Sequence, residues 1–197
     1  FQNSGFFPSA ISLDGKWLAL SKQNTSADSD VYLADLTKPA TQTPVLITPN
    51  DATIAYGVYE FTPDSKSLIY ATDEFGEFMQ AWTHDLATGQ KAELLKADWD
   101  VMFVTYSPAG KYRVDAINAD ASTKITILDQ TAGKPVALTG VPDGDIGSVR
   151  FNRDETKIAF TVASDTSPSD VFVADLATGA ATRLTTSLNP AIDEQML

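Results

Sequence analysis

The sequence predicts an all-β protein, a β-propeller of four four-stranded antiparallel blades, on three observations. A motif with a tight turn at its centre occurs four times, beginning at residues 11, 61, 106 and 151. A second motif follows each copy and ends in an aspartate, and a short, weaker apolar segment closes each unit. The four aspartates are Asp35, Asp85, Asp129 and Asp175. Four short strands repeated every ~40–50 residues are typical of propeller blades.

In each unit the first motif predicts strands a and b, and the second predicts strand c. Asp14-Gly15 supplies turn chemistry between a and b, because the carboxylate bonds nearby N–H groups and glycine tolerates a positive φ. Ala-Thr-Gly at 87–89 and again at 177–179 suits a hairpin between c and d. Residues 93–103 also fit a helical period, but the repeat assigns them to strand d and the next strand a. The predicted blades cover about residues 5–50, 51–97, 98–140 and 141–187.

The composition excludes several classes of function. The chain carries 14 Lys and Arg against 26 Asp and Glu, a net charge of −12, which argues against binding nucleic acid or an anionic membrane. No apolar run is long enough to span a bilayer. With no cysteine and one histidine, His84, the chain has no disulfide, no thiolate nucleophile and no multi-histidine metal site. We therefore expect no cofactor and no metal ion. The acidic runs 28–30 and 143–145 lack the ligand spacing of a calcium loop and are predicted to be turns.

The motifs at 61–66 and 175–179 resemble the blades of TolB-like propellers. They are equally similar to the propeller of prolyl oligopeptidase family serine peptidases, which include dipeptidyl and acylaminoacyl peptidases. Residues 71–78 resemble a loop between strands b and c in those peptidases, and residues 184–194 resemble the connector into their α/β-hydrolase domain. The resemblance implies that the chain is the last four blades of a seven- or eight-bladed ring, with a connector at 188–197. The start at Phe1, without a methionine, predicts a processed product or a piece of a longer polypeptide.

This resemblance also predicts what the chain does. It has no G-x-S-x-G motif and a single histidine, so a Ser–His–Asp triad is not expected and the chain alone should not hydrolyse peptides. The expected role is a non-catalytic module that gates the access of a peptide substrate to the α/β-hydrolase domain of the same polypeptide. The alternative is a free-standing TolB-like propeller that binds a protein partner, and a propeller lyase or glycosidase is the least favoured class. Two open blade faces predict either a homodimer or closure into a tight four-bladed ring. The sequence does not decide between a periplasmic and a cytoplasmic location.

Two pairs of charged residues are the candidate sites. In the peptidases a propeller carboxylate can pair with the terminal amine of a substrate, which makes Glu74 and Glu77 candidate substrate-binding residues. A solvated acidic loop is the alternative interpretation. Arg113 and Asp115 stand where the other blades carry large apolar residues, and two residues two apart in a strand share a face. Because a buried unpaired charge is costly, they predict an internal ion pair or an interface with a further blade or domain. His84, in a slot that other blades fill with Ala or Leu, is predicted to be structural.

Overall fold

The computed structural model describes residues 5–39 and 41–192 and confirms the predicted fold class. These residues form four four-stranded antiparallel sheets, each with its strands in chain order. The first sheet contains β1 (Phe6–Ile11), β2 (Trp17–Thr25), β3 (Asp28–Asp35) and β4 (Val45–Leu46). The second contains β5 (Tyr56–Phe61), β6 (Ser67–Thr72), β7 (Gln80–Asp85) and β8 (Lys91–Leu95). The third contains β9 (Val101–Tyr106), β10 (Tyr112–Ala119), β11 (Ser122–Asp129) and β12 (Lys134–Pro135). The fourth contains β13 (Asp145–Phe151), β14 (Lys157–Ser164), β15 (Ser167–Asp175) and β16 (Ala181–Arg183).

Residues 93–103, whose sequence also fits a helical period, contain parts of two β-strands and no helix. Strands β8 and β9 lie on either side of a short turn at 96–100, as the repeat predicts. Within residues 5–39 and 41–192 no helix is long and apolar enough to cross a bilayer. Residues 184–192 continue from β16 without a further strand, and the rest of the predicted connector, 193–197, lies outside the described residues.

Aspartate side chains build the turns at one end of every sheet. Between β1 and β2, Asp14 Oδ1 accepts hydrogen bonds from Ser12 Oγ at 2.6 Å and from the Lys16 N–H at 3.1 Å. Between β7 and β8, Asp85 Oδ1 accepts from the N–H groups of Ala87 and Thr88 at 3.0 and 2.7 Å. The pKa values of both carboxyls are lowered, because each hydrogen bond favours the charged form. The turn chemistry expected from the sequence therefore fixes where each strand ends.

One turn position has a positive φ in all four sheets, although two of the sheets lack glycine there. The φ values are 69° at Gly15, 56° at Ser65, 79° at Gly110 and 53° at Glu155. A side chain in this conformation crowds its own backbone, at a cost of roughly 1–2 kcal/mol.

We expect Ser65→Gly to leave the free energy of unfolding nearly unchanged, within about 0.5 kcal/mol. Glycine removes the crowding, but it adds unfolded-state entropy and loses the hydrogen bond that Ser65 Oγ accepts from the Asp14 N–H at 3.1 Å. Urea unfolding measures the change. The matched control is Ser67→Gly in β6, where φ is not positive, and this variant should lose stability. A loss of equal size in both variants would contradict the prediction.

The d strands β4 and β12 are only two residues long, for two different reasons. Beyond β4, the hydroxyl of Thr48 accepts the hydrogen bond of the Val31 N–H at 3.0 Å, so a side chain replaces a backbone carbonyl in the ladder. In β12, Pro135 has no N–H to donate. Short outer strands leave few unpaired backbone groups at the edge of a sheet.

The chain divides into two compact units, residues 1–105 and 106–197. In the first unit, an apolar core forms between the first two sheets. It contains Ala19, Val31, Leu33, Ile47, Tyr56, Phe61, Leu68 and Tyr70. In the second unit, Phe160 stacks on Phe172 and Tyr112 stacks on Phe151, each pair with ring centroids 6.1 Å apart. Aromatic side chains bury large apolar areas, so these pairs contribute strongly to the packing of the second unit.

Candidate functional site

The candidate carboxylates lie at the sheet end opposite the aspartate turns. Because the strands of a blade alternate in direction, the loop between b and c and the connector between d and the next a emerge at the same end. In the second sheet this end carries the loop 73–79, which contains Glu74 and Glu77, and the connector 96–100. Loops held at one end of rigid sheets are where binding residues are commonly found.

Glu74 is half-buried and has two partners on the same oxygen. Its Oε2 accepts a hydrogen bond from Tyr56 Oη at 3.0 Å and lies 3.2 Å from Lys91 Nζ, which is also half-buried. Lys91 Nζ in turn lies 6.0 Å from the centre of the Tyr56 ring. Burial raises the pKa of the Tyr56 hydroxyl, and the bond to Glu74 raises it further. Glu74 is therefore held in place by an ion pair and a hydrogen bond, and its role as a substrate-binding residue stays a prediction.

Glu77 differs from Glu74, because its side chain is exposed to solvent. The loop that carries both is ordered by its first residue: Asp73 Oδ1 accepts from the Ala55 N–H at 2.9 Å, and its carbonyl accepts from the Gly76 N–H at 3.2 Å. The structure thus places one paired and one exposed carboxylate on the same loop.

His84 is buried in β7 on the face that packs against the first sheet. It lies directly opposite Leu68 in β6 and Lys91 in β8. Its Nδ1 is buried and has no hydrogen-bond partner among the described residues. Burial lowers the pKa of the imidazole, the nearby Lys91 lowers it further, and Asp85 opposes both. His84 is therefore held in the neutral form.

We expect this burial to make stability depend on pH. The folded pKa of His84 lies below the unfolded value of about 6.5, so only the unfolded state takes up a proton as the pH first falls through that value. Stability should be constant above pH ~7 and fall below pH ~6.5, with a slope of at most about 1.4 kcal/mol per pH unit.

Urea unfolding between about pH 7.5 and 5.5 tests this, since this is the only histidine in the chain and few other groups titrate in that window. His84→Leu is the matched variant, because Leu128 fills the same slot in the third sheet. It should lose the slope. The same slope in both proteins would place its origin elsewhere.

The structure places Arg113 and Asp115 in a two-bonded ion pair on β10. Arg113 Nε lies 2.8 Å from Asp115 Oδ1, and Nη2 lies 2.7 Å from Oδ2. The two side chains are only 13% and 9% exposed. Arg113 lies opposite Leu128, as Leu18 lies opposite Ala34 and Leu68 opposite His84 in the first two sheets. The pair therefore takes core slots, where each charge offsets the desolvation cost of the other. Its role as an interface stays a prediction.

Sequence reasoning missed Asp170 in β15, the carboxylate with the most hydrogen bonds recorded among residues 5–39 and 41–192. Its side chain is 2% exposed. Oδ1 accepts from Thr185 Oγ1 at 2.6 Å and from Ser187 N and Oγ at 2.9 and 3.0 Å. Oδ2 accepts from Arg183 Nε at 3.0 Å and from Nη2. The Thr185 hydroxyl, with the Arg183 and Ser187 donors, lowers the pKa of Asp170 to about 2.

Asp170 and Arg183 also line a cavity of about 190 Å³ within the second unit, beside Phe172 and the hairpin between β14 and β15. The signal in the sequence is a row of donors at every second position, Arg183, Thr185 and Ser187, facing strand c. Because this network satisfies both oxygens of Asp170, it ties the chain after β16 back onto β15. Among the described residues no three His, Asp or Glu side chains are grouped to hold a metal ion.

Comparison with known proteins gives one family and one fold. The family model of the prolyl oligopeptidase N-terminal β-propeller domain matches residues 2–187. No curated protein matches the chain.

Among solved structures, a study of two prolyl endopeptidases contains a chain with a TM-score of 0.72 and 20% identity, over 94% of this chain and 28% of that one. Prolyl oligopeptidase B from Galerina marginata, bound to a 35mer hydrolysis and macrocyclization substrate, has a TM-score of 0.78 and 16% identity, over 99% of this chain and 28% of that one. A putative TolB from Agrobacterium tumefaciens has a TM-score of 0.64 and 20% identity, over 89% of this chain and 63% of that one. The chain thus spans under a third of the length of the peptidase chains that it resembles.

Proposed function

The chain belongs to the family of prolyl oligopeptidase N-terminal β-propeller domains, and on this premise we propose that it is the non-catalytic propeller module of a serine peptidase. Its role is to gate the access of peptides to an α/β-hydrolase domain in the same polypeptide. The observation that carries the proposal is the family match over residues 2–187. The position of the single histidine agrees with it, because His84 is buried inside a sheet and cannot reach a serine at the surface.

Gating is a role that rigid sheets can perform. Every described blade is closed at one end by aspartate turns, and the opposite end of the second sheet presents the loop 73–79. In the proposed arrangement these loops border the path to the hydrolase domain, which a short flexible peptide can follow and a folded protein cannot. Selection by size then needs no chemistry from the propeller itself.

We further propose that the loop that carries Glu74 and Glu77 binds the amine of a peptide substrate. Glu74 Oε2 is already shared between Tyr56 and Lys91, so Glu74 holds the loop and Glu77 supplies the exposed charge. In the whole polypeptide, Glu77→Gln should raise the KM for a peptide with a free N-terminus and leave that for its acetylated form unchanged. Equal KM changes for the two peptides would remove Glu77 from substrate binding.

The experiment that tests the proposed function uses the polypeptide encoded by the complete gene. It should react covalently with a fluorophosphonate probe and hydrolyse short peptides, and the 197-residue chain alone should do neither. A complete polypeptide that fails to react with the probe would overturn the assignment to a serine peptidase.

The second candidate is a free-standing propeller that binds a protein partner. The likeness to the TolB from Agrobacterium tumefaciens favours it, since the match covers 63% of that chain against 28% for the peptidases. The sequence of the complete gene distinguishes the two candidate functions. A reading frame without a hydrolase domain, together with capture of one defined partner, would favour the TolB-like function.

We also propose that the isolated chain forms a homodimer. Large apolar side chains of the first sheet and its turns are exposed, namely Phe7, Ile11, Leu13 and Val45. Exposed apolar side chains of this size favour association with a second copy. Light scattering behind a sizing column should give the mass of two chains, and a strictly monomeric mass would contradict the proposal.

A further inference from the structure

Two half-exposed aromatic pairs lie on neighbouring segments of the first unit. Phe75 packs against Trp82 with ring centroids 4.1 Å apart and the ring planes tilted by 33°, and Phe78 lies against Trp99 at 5.8 Å. Phe75 is 52% exposed and Trp99 is 43% exposed. We call the surface formed by these four side chains the aromatic ledge. Exposed rings that pack against one another form a preorganised contact surface, because each ring has little side-chain entropy left to lose on binding.

Hydrogen bonds join the two segments of the ledge into one surface. The Met79 N–H donates to Asp100 Oδ1 at 2.8 Å, and the Val101 N–H donates to the Met79 carbonyl at 2.8 Å. Gln80, itself buried, accepts from the Ala97 N–H and donates to the Trp99 carbonyl. The loop 73–79 and the connector 96–100 are thus held in a fixed relation.

The charge around the ledge is mainly negative, although Glu74 is paired with Lys91. Residues 73–79 and 93–100 contain six carboxylates and one lysine. Glu77 and Asp98 are exposed and directly precede Phe78 and Trp99 in the chain, and Glu93 is exposed directly opposite Trp82. A cation above an aromatic face within about 6 Å is attracted by the ring, and carboxylates at the rim add to that attraction. Anionic and purely apolar occupants gain nothing from this rim.

We propose that the aromatic ledge is a docking surface for a peptide segment that carries an arginine between apolar residues. The guanidinium lies over the exposed face of Trp99, Glu77 and Asp98 are its counter-charges, and the apolar neighbours contact Phe75 and Phe78. This inference concerns the chain itself and does not depend on the proposed peptidase function, so each can fail without the other.

The test uses the ¹⁵N-labelled 197-residue chain and its three tryptophan indole resonances, from Trp17, Trp82 and Trp99. The probe is acetyl-Leu-Arg-Leu-amide, and the matched ligand has citrulline in place of arginine, which keeps the shape and removes the charge. The arginine peptide should shift the Trp99 resonance saturably and leave that of Trp17 in place. The citrulline peptide should bind several-fold more weakly. No shift, or equal affinities for the two peptides, would overturn the proposal.

Two variants test the residues. Trp99→Leu should weaken binding of the arginine peptide by about 2- to 5-fold, as the loss of one exposed cation–π contact implies. Glu77→Gln should also weaken it, and more so at low salt than at high salt. The control is Asp51→Asn, an exposed carboxylate on another connector of the same unit. An equal effect of Asp51→Asn and Glu77→Gln would mean attraction by the net charge alone and would overturn the site. Glu77→Gln keeps the test decisive if Trp99→Leu fails to fold.

Discussion

Gly179→Ala is expected to destabilise the second unit by about 2–5 kcal/mol, a larger loss than at the equivalent turn glycines of the second and third sheets. Gly179 has a φ of +74°, and a Cβ at this position would lie 1.9 Å from the carbonyl oxygen of Ala137 and 3.0 Å from its carbon. The backbone cannot yield, because Gly179 O accepts from the Thr139 N–H at 2.9 Å and a parallel bridge joins Thr139 to Ala180. The variant therefore loses the left-handed conformation and the bridge between residues 139 and 180 together.

The chain offers two matched controls for this substitution. Gly133 and Gly89 occupy the same turn position in the third and second sheets, with φ values of +63° and +71°. A Cβ on Gly133 would meet nothing within 4 Å, and one on Gly89 would meet His84 Cε1 at 3.9 Å. Alanine at either position should cost only about 1–2 kcal/mol in urea unfolding. Equal losses at all three positions would show that the conformation alone, and not the approach to Ala137, limits residue 179.

Asp170→Asn is expected to be the most damaging change of a charged residue. Asparagine keeps the shape of the side chain, but it leaves Arg183 without a counter-charge. It also replaces one acceptor oxygen with an NH₂ group, which then faces hydrogen-bond donors. The thermal midpoint of the second unit should fall, and the chain after β16 should become sensitive to proteolysis. Asp165→Asn, an exposed aspartate in the hairpin before β15, is the matched control and should have little effect.

The same carboxylate predicts a dependence on pH. Its folded pKa is about 2, below the unfolded value of about 3.9, so its contribution is fully present above pH ~4 and is lost as the pH falls towards 2. The difference in stability between the wild type and Asp170→Asn should shrink across this window. A difference that stays constant down to pH ~2 would mean that the ionised form of Asp170 is not what stabilises the unit.

Local chemistry explains why the repeat architecture could be predicted from the sequence. The aspartate and glycine of each turn act within a few residues, so Asp85 and Gly89 define their hairpin before any tertiary contact is known. The slots of Arg113 and His84 were predictable for the same reason, because the repeat aligns them with apolar residues of the other blades.

What the sequence did not predict depends on contacts between distant segments. The approach of Gly179 to Ala137 joins residues 42 positions apart, and the same Ala-Thr-Gly motif at 87–89 has no such neighbour. The partners of Glu74 lie on two other strands, β5 and β8, which no spacing in the loop 73–79 indicates. The hydrogen bonds of Asp170 could not be predicted, because its donors lie at the end of strand d and beyond it, where the repeat is weakest.

The most direct test of the gating role measures cleavage against substrate size. The complete polypeptide is given one scissile sequence in two forms, a short free peptide and a surface loop of a folded carrier protein. We expect a much higher kcat/KM for the free peptide, and no cleavage of either form by the 197-residue chain. Equal kcat/KM values for the two forms would show that the propeller does not restrict access and would contradict the central proposal.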